Sequence, residues 1–156
     1  MGQKILVAMD ESDNAMRAID YITNNFLRDH DITLFSVLLD TAAICNMSSP
    51  ELVPYFQSQQ AAFCSIEDKR KELVDSSLEK AKKTLTKEGF EEARVTIKVG
   101  LKEKSVARDI IDEAHKGYDT VVIGRRGISG LEEFFLGSVS HKIVNGVKDL
   151  TVILVK

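Results

Sequence analysis

Five short apolar runs alternate along the chain with longer segments whose apolar residues recur at helical spacing. The first run, Lys4–Ala8, reads KILVA, and the last, Thr151–Val155, reads TVILV. Near-continuous apolar runs of this length are typical of parallel strands that are buried on both faces of a sheet. Their alternation with helical segments predicts an α/β fold of three layers, in which helices cover both faces of a five-stranded parallel sheet.

Three further strands and four helices complete this predicted pattern. The other strands are predicted at Ile32–Leu39, Arg94–Val99 and Thr120–Ile123. The helices are predicted to begin after Ser12 or Asp13 and to occupy about Ala61–Glu88, Lys104–His115 and Ser138–Asn145. The inner stripe of the long second helix is expected to consist of Ile66, Leu73, Ser77, Ala81 and Leu85. Gly89 and Gly117 are predicted to end two of these helices.

The segment 40–60 departs from this alternation and contains both prolines of the chain. We expect an excursion from the fold there, with a short helix near Glu51–Gln57. The two cysteines, Cys45 and Cys64, lie 19 positions apart and have no metal-type spacing around them. We expect them to be reduced thiols, with a disulfide between them as the alternative.

The composition predicts one globular domain of 156 residues without a nucleic-acid or membrane partner. The net charge of −3 lacks the overall basic character of a nucleic-acid-binding chain, so any anion site must be local. The apolar run at the N-terminus ends at Met9 and is too short for a signal peptide or a membrane span. We therefore expect a cytoplasmic protein.

A glycine-rich stretch follows the fourth predicted strand, from Gly124 to Ile143, and reads GRRGISGLEEFFLGSVSHKI. Gly124 and Gly127 are followed, after nine residues, by Gly137 and Ser138 at the start of the last helix. Chance produces this spacing on the order of 1% of the time in such a chain. Glycines let the backbone approach an anion closely, and a helix N-terminus offers N–H donors. The stretch predicts a phosphate site, with a simple tight turn as the alternative.

A carboxylate, Asp10, follows the first predicted strand in the sequence Met9-Asp10-Glu11-Ser12. Ligands of parallel α/β sheets bind beyond the carboxyl ends of the strands. Asp10 is therefore placed to accept a hydrogen bond from a ribose hydroxyl or an amine. The alternative is that Asp10 caps the following helix or holds the loop.

With Val7-Ala8-Met9-Asp10 after the first strand and the glycine and serine spacing after the fourth, the chain resembles the ATP-binding branch of the universal stress protein family. The likeness covers residues 1–156 as a single domain. It implies a sheet order of 3-2-1-4-5, which places Asp10 and Gly124 on neighbouring strands where the strand order reverses. It also implies a homodimer that pairs through the edge strand 151–155.

The resemblance further implies an ATP site. Mg²⁺ or Mn²⁺ is a candidate ion to bridge the phosphates, and the ATPase alternative below would need it. The residues that the resemblance assigns to this site are Met9, Asp10, Val37, Gly124, Gly127, Gly137, Ser138, Val139 and Ser140. The first three would contact the adenosine part, Val37 through its backbone, and the glycines and serines would hold ribose and phosphates. Arg126 departs from the family pattern, as does Arg125, and either adds a charge-assisted phosphate contact or points into solvent.

Three functions remain open at this stage. The first is a small dimeric ATP-binding protein with a regulatory role in the stress response, read by a protein partner. The second is an interaction protein that works without nucleotide. The third is a slow ATPase or phosphotransferase assisted by Glu132, Glu133 or Asp10. No general base stands next to a nucleophile in the sequence, so we assign neither catalytic residues nor a protein-bound metal.

Overall fold

The first strand lies at the centre of a parallel sheet in the computed structural model, which describes residues 2–10, 12–47, 53–124 and 137–156. The strands are β1 (Lys4–Ala8), β2 (Asp31–Leu38), β3 (Val95–Leu101), β4 (Thr120–Gly124) and β5 (Thr151–Val155). Their order in the sheet is β3-β2-β1-β4-β5. This order and the parallel pairing of every neighbouring pair confirm the predicted α/β fold.

Five α-helices connect these strands within the described residues. They are α1 (Asp13–Asn25), α2 (Ala42–Cys45), α3 (Pro54–Lys87), α4 (Val106–Ala114) and α5 (Ser138–Gly146), and a 3₁₀ turn at Glu92–Arg94 precedes β3. Helices α1 and α3 pack on one face of the sheet, and α4 and α5 pack on the other. The chain moves one way across the sheet from β1 to β3 and the opposite way from β3 to β5, so right-handed crossovers place the helices on opposite faces.

The central strand β1 shows why its sequence is apolar without interruption. Ile5 and Val7 pack into the core beneath α1 and α3, whereas Leu6 packs into the core beneath α4 and α5. All three side chains are 0% exposed. Because successive side chains of a strand point to opposite faces, only a sheet that is covered on both faces buries all three.

Helix α3 begins earlier than predicted, at Pro54 rather than near Ala61. Proline is favoured in the first turn of a helix because its missing N–H donor would have no intrahelical partner there. The separate short helix predicted near Glu51–Gln57 was wrong, because residues 54–57 form the first turn of α3. Residues 51 and 52 lie outside the described part of the chain.

The predicted inner stripe of α3 was also partly wrong. Ile66 and Leu73 are 66% and 50% exposed, whereas the buried residues are Val74, Leu78, Ala81 and Leu85. Ile66 is exposed because of length, since this helix of 34 residues measures about 50 Å, while a strand of eight residues spans about 26 Å. Leu73 is exposed because its neighbour Val74, and not Leu73, lies on the face that meets the core. Only the second half of α3 lies over the sheet, and its first half extends beyond the carboxyl edge of the strands.

Cys45 and Cys64 form a disulfide, so the prediction of reduced thiols was wrong. Their Cα atoms lie 5.9 Å apart, and the bond joins α2 to the extending half of α3. The side-chain amide of Gln60 strengthens this junction by donating hydrogen bonds to the carbonyl groups of Ile44 and Met47. The sequence spacing did not indicate the pairing because it depends on the direction in which α3 leaves the sheet.

None of the helices in the described ranges is long and apolar enough to cross a membrane.

Candidate functional site

A cleft with a volume of about 300 Å³ opens at the carboxyl edge of the sheet, around the ends of β1, β2 and β4. Eight of the residues predicted for the site line it, namely Met9, Asp10, Val37, Gly124, Gly137, Ser138, Val139 and Ser140. The other two, Arg126 and Gly127, lie outside the described residues, as do Arg125, Glu132 and Glu133. The fold thus brings segments from four parts of the sequence into one place.

The position of the cleft follows from the sheet order. β1 pairs with β2 on one side and with β4 on the other, with Ala8 opposite both Phe35 and Ile123. The connection after β1 runs to one face of the sheet, and the connection after β4 runs to the other. A gap therefore forms between them, at the reversal point where parallel α/β proteins bind their ligands.

An apolar wall lines part of this cleft. Val37 at the end of β2 is 5% exposed and Ile110 of α4 is 4% exposed, and Val106 of α4 also lines the cleft. Pockets for small molecules combine such apolar walls with a few polar groups that orient the ligand. The spacing of Val106 and Ile110 puts both residues on one face of α4. It does not show that they reach the cleft, because that depends on the position of α4 relative to β2.

Asp10 makes the loop contact that was one of its two predicted roles. Its Oδ1 atom accepts a hydrogen bond from the backbone N–H of Ser12 at 2.7 Å and so holds the turn that leads into α1. Its Oδ2 atom accepts no hydrogen bond from any residue that the structure describes. One carboxylate oxygen thus organises the loop, and the other is available to a ligand.

Gly124 lies where a side chain would collide with the first turn of α1. A Cβ atom at this position would be 3.0 Å from the carbonyl oxygen of Asn14 and 3.1 Å from its Cβ atom. Such contacts are closer than ordinary van der Waals packing, so glycine allows the end of β4 to approach α1. Close packing against α1 therefore favours glycine at this position whether or not a ligand binds.

The two serines at the start of α5 have different environments. Ser140 is 6% exposed, and its hydroxyl donates a hydrogen bond to the carbonyl oxygen of Gly124 at 2.9 Å. This bond ties the first turn of α5 to the end of β4. Ser138 is exposed at the mouth of the cleft. The sequence pattern could not distinguish the two hydroxyl groups.

The N-terminus of α5 provides the donors for an anion. Gly137 is the N-cap residue and makes no side-chain cap. The backbone N–H of His141 donates to the carbonyl oxygen of Gly137 at 2.9 Å, so the N–H groups of the residues before His141 have no acceptor within the helix. Together with the helix dipole, these groups favour negative charge at this end of the cleft.

Arg70 of α3 also lines the cleft, and sequence reasoning missed it. Its charged neighbours Lys69 and Lys71 are exposed on the solvated face of the helix. The Nε atom of Arg70, in contrast, is buried. No local pattern indicated this role, because it depends on the extension of α3 beyond the sheet.

A buried carboxylate outside the cleft joins α4 to the sheet. Glu113 is 4% exposed and accepts hydrogen bonds from Lys98 of β3 at 2.8 Å, from Lys116 at 2.9 Å and from the hydroxyl of Tyr118 at 3.2 Å. Burial tends to raise the pKa of Glu113, but the hydrogen bonds from the two lysines outweigh it and hold the pKa below its usual range. The same contact raises the pKa of Lys116.

Among the residues that the structure describes, no group of three His, Cys, Asp or Glu side chains is arranged to hold a metal ion.

This fold and cleft define an α/β protein with an open cleft at the reversal point of a parallel sheet. The family model of the universal stress protein family matches residues 1–156. The universal stress protein YxiE of Bacillus subtilis (strain 168) is 31% identical over 144 residues, which are 92% of each chain. The chain therefore belongs to the universal stress protein family.

Solved structures of lower identity share the fold. The protein MJ0577 superposes with a TM-score of 0.71 at 23% identity, over 100% of this chain and 96% of that one. UspA from Lactobacillus plantarum superposes with a TM-score of 0.67 at 18% identity, over 99% of this chain and 97% of that one. A universal stress protein in complex with cAMP superposes with a TM-score of 0.63 at 16% identity, over 99% of this chain and 96% of that one.

Proposed function

We propose that this protein is an ATP-binding universal stress protein that acts as a small dimeric regulatory protein of the cytoplasm in the stress response. The observation that carries the proposal is that one cleft combines an apolar wall with a helix N-terminus that has no side-chain cap among the described residues. A nucleotide base packs against apolar side chains, and a phosphate chain accepts hydrogen bonds from the N–H groups of a helix N-terminus. The cleft volume of about 300 Å³ lies within the range of small-molecule pockets, and we place the phosphates towards its open side.

In this proposal each part of the cleft takes one part of the nucleotide. The adenine ring packs against Val37, Val106 and Ile110, and a ribose hydroxyl donates to Oδ2 of Asp10. The phosphate chain accepts hydrogen bonds from the N–H groups at the start of α5 and from the hydroxyl of Ser138. A bound Mg²⁺ or Mn²⁺ ion would neutralise part of the phosphate charge. The similar protein solved with cAMP supports an adenine nucleotide as the class of ligand.

Isothermal titration with ATP tests this proposal, and Asp10→Asn is the most informative variant. Asparagine keeps the side-chain oxygen that accepts from Ser12 N, so the loop is preserved. It replaces the second oxygen by an N–H₂ group that cannot accept from ribose. We expect an affinity for ATP tighter than about 1 mM for the wild-type protein and about tenfold weaker binding for the variant.

Asp13→Asn is the matched control for the loss of one negative charge. Asp13 is exposed in the first turn of α1, three positions from Asp10. Removal of its charge should leave ATP affinity unchanged or slightly stronger, because phosphates are repelled by a nearby carboxylate. No binding of ATP by the wild-type protein, or equal losses in both variants, would contradict the proposal.

The dimer is proposed to form through β5. This strand lies at the edge of the sheet, and Leu154 is 39% exposed there. An apolar strand edge offers unpaired backbone groups to a second chain. Sedimentation equilibrium at micromolar concentration should give twice the mass of the chain, and the mass of a single chain would reject the dimer.

One observation favours the alternative function, an interaction protein that works without nucleotide. A shallow apolar groove between α2 and α3 is lined by Ile44, Met47 and Phe56. These three side chains are 48%, 52% and 59% exposed. Contiguous apolar surface of this kind is typical of protein-binding sites. Once a partner has been identified, equal affinity for it with and without ATP would favour this alternative.

A further inference from the structure

We propose that Arg70 makes the cleft respond to the number of phosphates on an adenine nucleotide. The inference rests on the proposed nucleotide function and deepens it. It assigns a phosphate contact to a residue of α3, which lies outside the glycine and serine pattern.

The position of Arg70 on α3 follows from the helical repeat. Arg70 precedes Val74 by four residues and therefore lies on the same face of the helix as the buried residues. Val74 is 1% exposed and packs into the core. One turn earlier, the helix has passed the edge of the sheet, so the same face meets the cleft instead of the core. This is why an arginine stands where the apolar stripe would continue.

Arg70 belongs to the helix that packs beside α1, because α1 and α3 cover the same face of the sheet. Ser12 and Ala15 of the α1 segment line the cleft together with Arg70. The first turn of α1 also touches the end of β4, where Asn14 packs against Gly124. Arg70 and the residues at the start of α5 thus line the same cleft.

The charges of the cleft indicate what Arg70 does for a ligand. Among the described residues that line the cleft, Asp10 and Arg70 are the charged ones. Asp10 alone would repel a phosphate chain, and the chain as a whole carries a net charge of −3. A guanidinium group offsets this repulsion and can donate two parallel hydrogen bonds to one phosphate.

The burial of the Nε atom shows that the side chain is held rather than free in solvent. A charged group that is already positioned loses little conformational entropy when it binds a phosphate. Arg70 should therefore contribute to affinity only for ligands that carry phosphates, and more for ATP than for AMP.

Titrations with adenosine, AMP, ADP and ATP test this inference on the wild-type protein, R70Q and R70K. We expect R70Q to weaken ATP binding about 10- to 100-fold and adenosine binding less than twofold. R70K should recover part of the loss for ATP, because lysine keeps the charge without the planar fork. K71Q is the matched control, since it removes one positive charge from an exposed neighbouring position, and it should bind all four ligands like the wild-type protein.

The outcomes separate this inference from the proposed function. If the wild-type protein binds neither adenosine nor ATP, the nucleotide function and the role of Arg70 are both overturned. If the wild-type protein binds ATP and R70Q weakens all four ligands equally, or none, only the role of Arg70 is overturned. Thermal unfolding checks that R70Q is folded. If it is not, R70K carries the test, because its loss of affinity must still increase from adenosine to ATP, and an equal loss would overturn the inference.

Discussion

Replacement of Ser140 by alanine, compared with the same replacement at Ser138, separates the structural from the ligand-binding part of the glycine–serine segment. The two serines lie two positions apart at the start of α5. The structure predicts opposite consequences for them. Loss of the Ser140 hydroxyl should lower stability, and loss of the Ser138 hydroxyl should lower only the affinity for ATP.

The expected magnitudes follow from burial and hydrogen bonding. Ser140 is 6% exposed and donates to the carbonyl oxygen of Gly124 at 2.9 Å, so alanine leaves this carbonyl without that donor. The cost is about 1–2 kcal/mol of the free energy of unfolding. In a domain of this size that lowers the melting temperature by roughly 2–8 °C. Ser138 is exposed, so its replacement should change the free energy of unfolding by less than about 0.5 kcal/mol.

Urea unfolding of both variants without ligand, followed by titration with ATP, measures the two effects separately. Ser138→Ala should weaken ATP binding about tenfold, which corresponds to one lost hydrogen bond to a charged group. The comparison is internal, because both variants remove one hydroxyl group from the same helix turn. A Ser140→Ala variant as stable as the wild-type protein would refute the structural role of this hydroxyl. If Ser138→Ala loses more than about 1 kcal/mol of the free energy of unfolding, the Ser138 hydroxyl has a structural role and its assignment to the ligand alone is refuted.

Two further predictions concern regions outside the cleft. Glu113→Gln should lower the free energy of unfolding by about 1–2 kcal/mol at pH 7, because it removes charged hydrogen bonds to Lys98 and Lys116. Folding lowers the pKa of Glu113 below 4.5, so the difference in the free energy of unfolding between wild type and variant should be full above about pH 4.5 and decline below it. Urea unfolding at several pH values measures this difference, and a difference that does not change with pH would contradict the ion pair. Reduction of the Cys45–Cys64 disulfide should destabilise the protein by up to about 3 kcal/mol and increase hydrogen exchange in α2. Unchanged exchange in α2 after reduction would show that the bond is not what holds this helix.

Much of the fold was predictable from local pattern. β1 and β5 have the predicted bounds, Lys4–Ala8 and Thr151–Val155, because near-continuous apolar runs of this length are typical of buried strands. Gly89 and Gly117 follow α3 and α4 with φ of 101° and 100°, a conformation that favours glycine and ends a helix. The sheet order came from family resemblance, and the structure confirms it.

The errors in prediction arose where position depends on distant parts of the chain. The stripe of α3 was placed on Ile66 and Leu73 because periodicity shows neither where a helix leaves the sheet beneath it nor which of the adjacent residues Leu73 and Val74 faces the core. Reduced thiols were expected instead of the Cys45–Cys64 disulfide because this pairing also depends on where α3 leaves the sheet.

The sequence by itself determined the class of fold and the segments from which the cleft is built, because apolar periodicity and glycine conformation act over a few residues. Only the tertiary structure decided which polar groups serve the cleft. It directed the hydroxyl of Ser140 to Gly124 and brought Arg70 to the cleft at the end of the buried stripe of α3. These assignments depend on distances between segments that are far apart in the chain, and such distances exist only after the two faces of the sheet have been packed.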